Sequence, residues 1–316
     1  VAEHVVTSSH HTRLAPDDWA KRRRAHEARV DKWIEPHRQR ASRREKHPVE
    51  DFLFTYYSFR PAWLRRWHPG PDVSLEGESA REFLRWSEYQ ETGDGVQLDA
   101  AGFPEKRLRF LRWLQKFLQA TGSRPAFFGC YGWHEWAMVY RQTPEEVRHN
   151  AHPLRFDRNE VARIVENGPG CCTHFDAFRF FTKPARPLNR HQPTRDTDIA
   201  MDQRGCLHAN MDLYKWASKL TPYCPSDLLA DCFAFAREIR EIDMRASPYD
   251  LAALGYEPIM VETAEGRVEY EHHQRDFARG SEPLRARLIA LCDRLLSSNS
   301  GPMSGVMGQM TDDAEQ

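Results

Sequence analysis

The chain has 316 residues, of which 40% are hydrophobic and 29% charged, with a formal net charge of −1. This composition fits a soluble globular protein with a proper hydrophobic core. The chain holds no run of about 18 apolar residues, which excludes a transmembrane helix, and its N-terminus lacks the apolar core of a signal peptide. Seven cysteines, an odd number set in apolar segments, exclude a disulfide scaffold and indicate a reduced, cytoplasmic protein.

The predicted fold is mainly α: a single large helical domain over residues 16–297 with at most a few short strands. Residues 1–15 and 298–316 are expected to be disordered, and residues 16–70 to form a basic helical arm. Residues 182–203 read as a surface loop, residues 255–263 as the best strand candidate, and residues 172–181 as either helix or strand. Pro36 is expected to break the first helix. The predicted helices cover residues 17–35, 36–46, 48–59, 60–68, 79–90, 104–122, 126–142, 155–168, 206–221, 226–245, 265–279 and 282–297.

Charge is spread unevenly along the sequence. Residues 11–68 carry 15 lysines and arginines against 8 carboxylates, so the rest of the chain is acidic. A basic segment on an acidic body is typical of an arm that contacts phosphates, and DNA is therefore the predicted partner. Arg65 and Arg66, in a tryptophan-bearing turn, are candidate phosphate contacts. A solvated helix face would give the same charge pattern.

Two clusters of ionisable residues lie between residues 168 and 219. The second cluster falls on one predicted helix, where His208, Asp212 and Lys215 share a polar stripe. Burying ionisable groups costs free energy unless they form pairs or take part in binding or catalysis. The clusters therefore predict one wall of a functional site. The candidate catalytic residues are His174, Asp176, His208, Asp212 and Lys215. Lys215 suits either a Schiff-base or electrostatic role, or a simple ion pair with Asp212.

The same residues suit a divalent metal. Histidines and carboxylates are the ligands that iron, manganese and zinc share, and residues 126–142 add a histidine and a glutamate to them. The candidate ligands are His134, Glu135, His174, Asp176, His208 and Asp212. Cys171, Cys172 and Cys206 offer an alternative, a structural zinc site with His174 and His208. The sequence contains neither the C-x-x-C nor the H-E-x-x-H motif of metal sites. A polar network that stabilises the core would explain the same residues without a metal.

Aromatic residues accompany these clusters. Trp133, Trp136, Tyr214 and Trp216 are candidates for a pocket that stacks on a flipped, positively charged alkylated purine. Core packing is the alternative use of the same four side chains.

Several segments resemble a known family. The segments HPVEDFLFTYYSFRPAWLRRWHPG (47–70), HFDAFRFF, GCLHANMDLYKWA and IDMRASPYDL are similar to actinobacterial proteins known as 3-methyladenine DNA glycosylases, and the likeness spans residues 17–297. In addition, residues 168–174 resemble the glycine hairpin with which helix-hairpin-helix glycosylases bind a DNA phosphate. Asp196 or Asp198 would then fall near the catalytic position of such enzymes. Otherwise the two glycines only end a helix and make a turn.

The resemblance implies a DNA-repair N-glycosylase that releases alkylated purines. In such an enzyme, Asp212 or Asp176 would supply the carboxylate that stabilises the sugar cation, and His208 or His174 would be the partner of that carboxylate. A metal-dependent enzyme acting on a small molecule is the alternative, and a noncatalytic nucleic-acid-binding protein is a third reading. The sequence leaves open the oligomeric state and whether His134, His174 and His208 converge.

Overall fold

Helices account for most of the chain in the computed structural model, which describes residues 11–147 and 149–300. The mainly α class predicted from the sequence is therefore confirmed. The α-helices are α1 (Pro16–Ser42), α2 (Phe52–Tyr56), α3 (Pro61–Arg65), α4 (Glu105–Ser123), α5 (Trp133–Val139), α6 (Arg158–Glu166), α7 (Phe175–Phe178), α8 (Asp198–Met201), α9 (Leu207–Lys219), α10 (Ser226–Arg245) and α11 (Ala264–Ser298).

Four short strands form one small sheet in the order β1-β2-β4-β3. They are β1 (Thr12–Leu14), β2 (Val73–Leu75), β3 (Tyr89–Thr92) and β4 (Gly95–Leu98). β1 runs parallel to β2, and the other neighbours are antiparallel. Since β1 lies in the segment expected to be disordered, ordered structure begins before residue 16. Residues 1–10 and 301–316, where disorder is also predicted, lie outside the described residues.

The helix predicted over residues 79–90 is wrong. Glu78–Arg85 form a 3-10 helix, and the chain then enters β3. The tight β3–β4 turn depends on Gly95, whose φ is +118° and where an added Cβ would lie 2.3 Å from the carbonyl oxygen of Leu75. The turn and the pairing with β2 therefore override the local helical pattern.

Two prolines lie inside helices rather than ending them. Pro36 stands within the 27 residues of α1, and Pro283 within the 35 residues of α11. The break predicted at Pro36 is wrong because α1 is docked on both sides of the proline, and the two helices predicted over residues 265–279 and 282–297 are one continuous helix. In α1, Ile34 is buried before Pro36, and Arg40 binds Asp51 after it.

Two apolar segments are shorter or less regular than predicted. Within residues 126–142 only α5 is helical, since Tyr131, Gly132 and Arg141 around it have positive φ. Residues 255–263 form no strand in the described structure, although Ile259 and Val261 are buried and Met260 is exposed. The strand predicted there is therefore wrong, and these side chains pack from an irregular segment.

The core is organised around α9. This helix packs against α10 and α11, and its residues from Leu207 to Tyr214 are all buried. The polar stripe predicted on it, which includes His208 and Asp212, is therefore inside the protein rather than on its surface. Buried charge of this kind requires partners from other elements.

Candidate functional site

Three histidines from distant parts of the sequence meet beside α9. His208 lies on α9, His134 on α5, and His174 directly before α7. The ring centroids of His134 and His208 are 4.2 Å apart, and those of His174 and His208 are 5.6 Å apart. All three side chains are buried. The structure thus brings together the clusters that the sequence left apart.

The His134 side of the cluster is completed by α10. His134 Nε2 lies 3.2 Å from Oδ1 of Asp243 and 3.7 Å from Oε1 of Glu135. Arg240 donates to Glu135 Oε1 and to Asp243 Oδ2, each at 2.7 Å. Burial alone would lower the pKa of His134, but Asp243 and Glu135 raise it to about 9. Sequence reasoning missed Asp243 and Arg240, since α10 displays many charges and only the fold buries these two.

The His174 side is completed by Asp202, the residue directly after α8. His174 Nδ1 lies 3.0 Å from Asp202 Oδ1, and its Nε2 lies 3.8 Å from Asp212 Oδ2. Burial opposes the charged imidazole, yet the two carboxylates raise the pKa of His174 to about 9. Between the two charged rings, burial and the neighbouring imidazoles lower the pKa of His208 well below its usual value. Asp202 was expected on a surface loop, whereas it is 1% exposed.

Lys215 joins two of the predicted catalytic carboxylates. Its Nζ donates to Asp176 Oδ2 and to Asp212 Oδ2, each at 2.7 Å. The hydroxyl of Tyr57 donates to Asp212 Oδ1 at 2.6 Å, so both oxygens of Asp212 have a donor. Burial would lower the pKa of Lys215, but Asp212 and Asp176 raise it above its usual value. The amine is therefore held as ammonium, which favours the electrostatic role over Schiff-base chemistry.

A pocket of about 560 Å³ opens onto this group. Its floor contains His174, Asp176, Asp202, Asp212 and Lys215, which join the pocket to the buried cluster. One wall is aromatic and consists of Phe110, Trp113, Phe117 and Trp216. The rim carries Arg179, Arg195, Asp196, Asp198 and Lys219. A concave site with apolar walls and a few convergent polar groups has the form of a ligand-binding site.

Only one of the four predicted pocket aromatics lines this pocket. Trp216 does, with its ring 5.5 Å from that of Trp113. Trp133, Trp136 and Tyr214 are core residues, each at most 2% exposed. None of these three residues lines the pocket, and their burial fits core packing, the alternative use. Trp113 and Phe110 on α4 were missed because the sequence gives no sign that α4 faces the carboxylates.

Arg65 and Arg66 do not reach the pocket. They line a separate surface pocket beside Trp67. Arg65 donates to Asp31 Oδ1 at 2.8 Å, so its charge is already paired within the protein.

Many arginines of the basic arm are paired in the same way. Arg23 binds Glu82, Arg29 binds Asp231 at 2.7 Å, and Arg40 binds Asp51 at 2.7 Å. The pairs of Arg23 and Arg29 join the arm to residues outside it, and the pair of Arg40 lies within the arm. The arm therefore offers fewer charges to a nucleic acid than its composition indicates.

Asp51 is the best-bound of these carboxylates, and its replacement by asparagine is expected to destabilise the protein by about 2 kcal/mol at pH 7. Burial would raise the pKa of Asp51, but hydrogen bonds from Arg40 and His37 lower it. Its contribution is thus present above the unfolded pKa and is lost as the pH falls through the lowered value. Denaturant unfolding of Asp51→Asn and wild type at pH 7 and pH 3 checks this. Glu50→Gln, a half-exposed neighbour that also pairs with Arg40, is the control. An equal difference at both pH values would contradict the assignment.

The glycine segment predicted as a DNA-binding hairpin is an internal turn. An added Cβ at Gly168 would lie 1.7 Å from the Trp133 ring. The amide of Cys172 donates to Asn189 Oδ1 at 2.8 Å, and both residues are buried. α7, which follows, has only four residues. The amide of Cys172 therefore has its hydrogen-bond acceptor inside the protein. This favours an internal turn over a phosphate-binding hairpin.

Two groups of side chains in the described part of the chain could hold a metal ion. One is His134, His208 and Asp243, and the other is His174, Asp176 and Asp212. Neither group includes a cysteine, so the alternative zinc site with Cys171, Cys172 and Cys206 gains no support within residues 11–147 and 149–300. Glu135, a predicted ligand, belongs to neither group and instead binds Arg240.

Within the described residues, every helix is either too short or too polar to span a bilayer. Comparisons of the chain with family models, with curated proteins and with solved structures found no match. The resemblance to glycosylases therefore stays a prediction from the sequence, and the side chains of the pocket are the basis for assigning a function.

Proposed function

We propose that the protein is a DNA-repair N-glycosylase that releases alkylated purines such as 3-methyladenine from DNA. The observation that carries the proposal is the pocket itself, in which an aromatic wall faces carboxylates held by Lys215 and His174. Its volume of about 560 Å³ lies within the range of small-molecule sites. The seven cysteines are all free, in keeping with the cytoplasmic location expected from the sequence.

Hydrolysis of the bond between an alkylated purine and its sugar requires few catalytic groups. An N-alkylated purine in DNA carries a positive charge, so it leaves as a neutral base when the bond to C1′ of the sugar breaks and the bonding electrons go to the base. The sugar is left as an oxocarbenium-like cation. A carboxylate beside that cation stabilises it, and water adds to C1′ and releases one proton to solvent to complete the hydrolysis.

Asp212 is assigned as this carboxylate. It lines the pocket, and Tyr57 and Lys215 hold its two oxygens in a fixed orientation. A carboxylate that is already oriented need not reorganise as positive charge develops on the sugar. Asp176 shares Lys215 and supplies further negative charge, with its pKa lowered by that ammonium against the opposing effect of burial.

His174 is assigned as the partner of Asp212. It lines the pocket, whereas His208 lies behind it against His134. With the pKa of His174 raised to about 9 through Asp202 and Asp212, the ring is a proton donor at neutral pH. A donor at this position orients the attacking water or the sugar phosphate.

The flipped base is assigned to the face formed by Phe110 and Trp113. Trp216 already faces two cations, since Lys215 and Lys219 lie 4.4 Å and 5.9 Å from its ring centroid. Lys219 also lies 5.6 Å from the ring centroid of Phe110, but Phe110 and Trp113 are partly exposed and nearly parallel, with an interplanar angle of 25°. Stacking on such rings favours a planar cation and is worth roughly 1–3 kcal/mol per base.

DNA phosphates are assigned to the cations of the rim rather than to the arginines of the arm. Arg195 and Lys219 lie at the pocket mouth together with Arg179, which also pairs with Asp176 at 3.1 Å, and the strand that carries a flipped nucleotide must pass there. Binding through so few cations predicts a moderate salt dependence of affinity.

The test is release of free bases from DNA treated with a methylating agent, measured by chromatography and mass spectrometry. Wild-type protein is expected to release 3-methyladenine above the spontaneous rate, and heat-denatured protein is the control. Folded protein that releases no base and binds no DNA at low salt would reject the proposal. DNA binding without release would instead indicate the noncatalytic nucleic-acid-binding function.

A metal-dependent enzyme acting on a small molecule is the second candidate. The specific observation in its favour is that two groups of three potential ligands, with His134 and His208 in one and His174 and Asp212 in the other, flank each other beneath the pocket. Iron, manganese or zinc would suit these nitrogen and oxygen ligands. Base release that is unaffected by chelators would speak against this candidate.

A further inference from the structure

We propose that His134, His208 and Asp243 bind one divalent transition-metal ion, iron(II), manganese(II) or zinc(II), in the interior of the protein. The site lies behind the aromatic pocket and is independent of the glycosylase assignment. Asp243 takes the place that the sequence alone assigned to Glu135. Two imidazoles and one carboxylate are a common ligand set for metals of this class.

The ligand atoms are close enough for one ion. One atom from each of the three residues lies within 4.8 Å of the others. Ligands bound at about 2.0–2.2 Å on one ion are separated by no more than about 4.4 Å, so small side-chain adjustments suffice. The three residues come from α5, α9 and α10, which are packed helices rather than loops. A rigid frame of this kind fixes the geometry of a metal site.

Two of the ligand atoms are incompletely satisfied. His134 Nε2 and Asp243 Oδ1 form an ion pair at 3.2 Å, but among the described residues neither atom has a partner with hydrogen-bond geometry, and both residues are at least 96% buried. Buried polar atoms are nearly always satisfied, and one without a partner requires an explanation. A metal ion between the two atoms and His208 would satisfy both.

The charge of the surroundings favours a cation. Glu135 and Asp243 face His134, and the guanidinium of Arg240 binds both carboxylates. A metal ion would replace the proton that His134 otherwise carries, and without that proton two carboxylates are opposed by a single guanidinium. Arg240 takes Oδ2 of Asp243 and leaves Oδ1 for another partner.

The other group of potential ligands is less suited to an ion. Lys215 places its ammonium 2.7 Å from both Asp176 and Asp212, which is where a metal would bind. The cation beside the His134 group is Arg240, which binds Oδ2 of Asp243, so a metal ion at Oδ1 need not displace it. Small cavities of about 10 Å³ and 20 Å³ border both His134 and His208. A cavity near this size can hold one water, which could complete the coordination.

The experiment is metal analysis of protein purified without a histidine tag. The protein is loaded anaerobically with iron(II), or with manganese(II) or zinc(II), and passed over a desalting column before elemental analysis. Wild type is expected to retain about one equivalent of at least one of these metals and to melt at a higher temperature with it. His134→Ala and His208→Asn are expected to retain less than about a fifth of that amount. His68→Gln, which replaces a buried histidine hydrogen-bonded to Tyr89, is the matched control and is expected to bind like wild type.

Wild type that retains none of the three metals would overturn the proposal, and so would folded His134 and His208 variants that bind as wild type does. If both variants fail to fold, anomalous X-ray diffraction from metal-loaded wild-type crystals decides. A peak within bonding distance of both imidazoles supports the site, and a peak only elsewhere overturns it. Because metal content is measured without any substrate, failure of the glycosylase assignment leaves this result unaffected.

Discussion

Replacing Asp212 by asparagine is expected to lower the rate of base release by roughly 100- to 1,000-fold. The amide has nearly the same shape as the carboxylate but cannot stabilise positive charge on the sugar. It also has only one acceptor oxygen in place of the two to which Lys215 and Tyr57 donate. The single-turnover rate on methylated DNA, with protein in excess, measures this loss without interference from product release.

Two controls separate loss of chemistry from loss of fold. Asp227→Asn replaces a carboxylate whose side chain is 68% exposed, and we expect release at the wild-type rate. Tyr57→Phe keeps the packing but removes one hydrogen bond to Asp212, and we expect a loss of about 10-fold. An Asp212→Asn protein with wild-type melting temperature and wild-type release would remove Asp212 from the mechanism.

Replacing Arg240 by methionine is expected to destabilise the protein by about 3–5 kcal/mol. The guanidinium is 1% exposed and binds both Glu135 and Asp243 at 2.7 Å. Without it, two buried carboxylates face each other across His134, which cannot neutralise both. Denaturant unfolding followed by circular dichroism measures the change in the free energy of unfolding.

The Arg240 prediction has a matched control on the same helix. Arg237→Met removes a half-buried arginine that lies over Trp33 at 5.8 Å, and we expect a loss below about 1 kcal/mol. The double variant Arg240→Met with Glu135→Gln should lose less free energy of unfolding than the two single variants lose together, because one uncompensated charge is removed. Strict additivity would show that the charges of these two residues do not interact.

The sequence was most informative about local patterns on single helices. The spacing of His208, Asp212 and Lys215 predicted one polar face on a helix, and α9 has that face. This inference works because residues four positions apart on a helix are always neighbours. The sequence did not reveal that the face is buried, since burial depends on how α10 and α11 pack against α9.

The residues around the polar face of α9 come from distant segments of the chain, and the sequence could not predict which residues they are. Asp202 lies in a polar, proline-containing segment that reads as surface loop, yet it binds His174 across 28 residues of sequence. Asp243 stands among several exposed charges on α10, and no local signal distinguishes it. Trp113 lies on a highly charged helix and reaches the pocket because α4 packs against α8. Each of these contacts depends on how distant segments pack in the fold and not on the spacing of residues along the sequence.

The measurement that tests the account most directly is the single-turnover release of 3-methyladenine from DNA by wild type and Trp113→Ala. Trp113 lies on the wall assigned to the base, and Trp63→Ala, on α3 with 41% exposure, is the matched control outside the pocket. We predict release by wild type and by the control, and at least about a 10-fold slower rate for Trp113→Ala because a stacking partner is lost. No release by folded wild type, or an unchanged rate in the Trp113 variant, would contradict the assignment of this pocket as the site of base release.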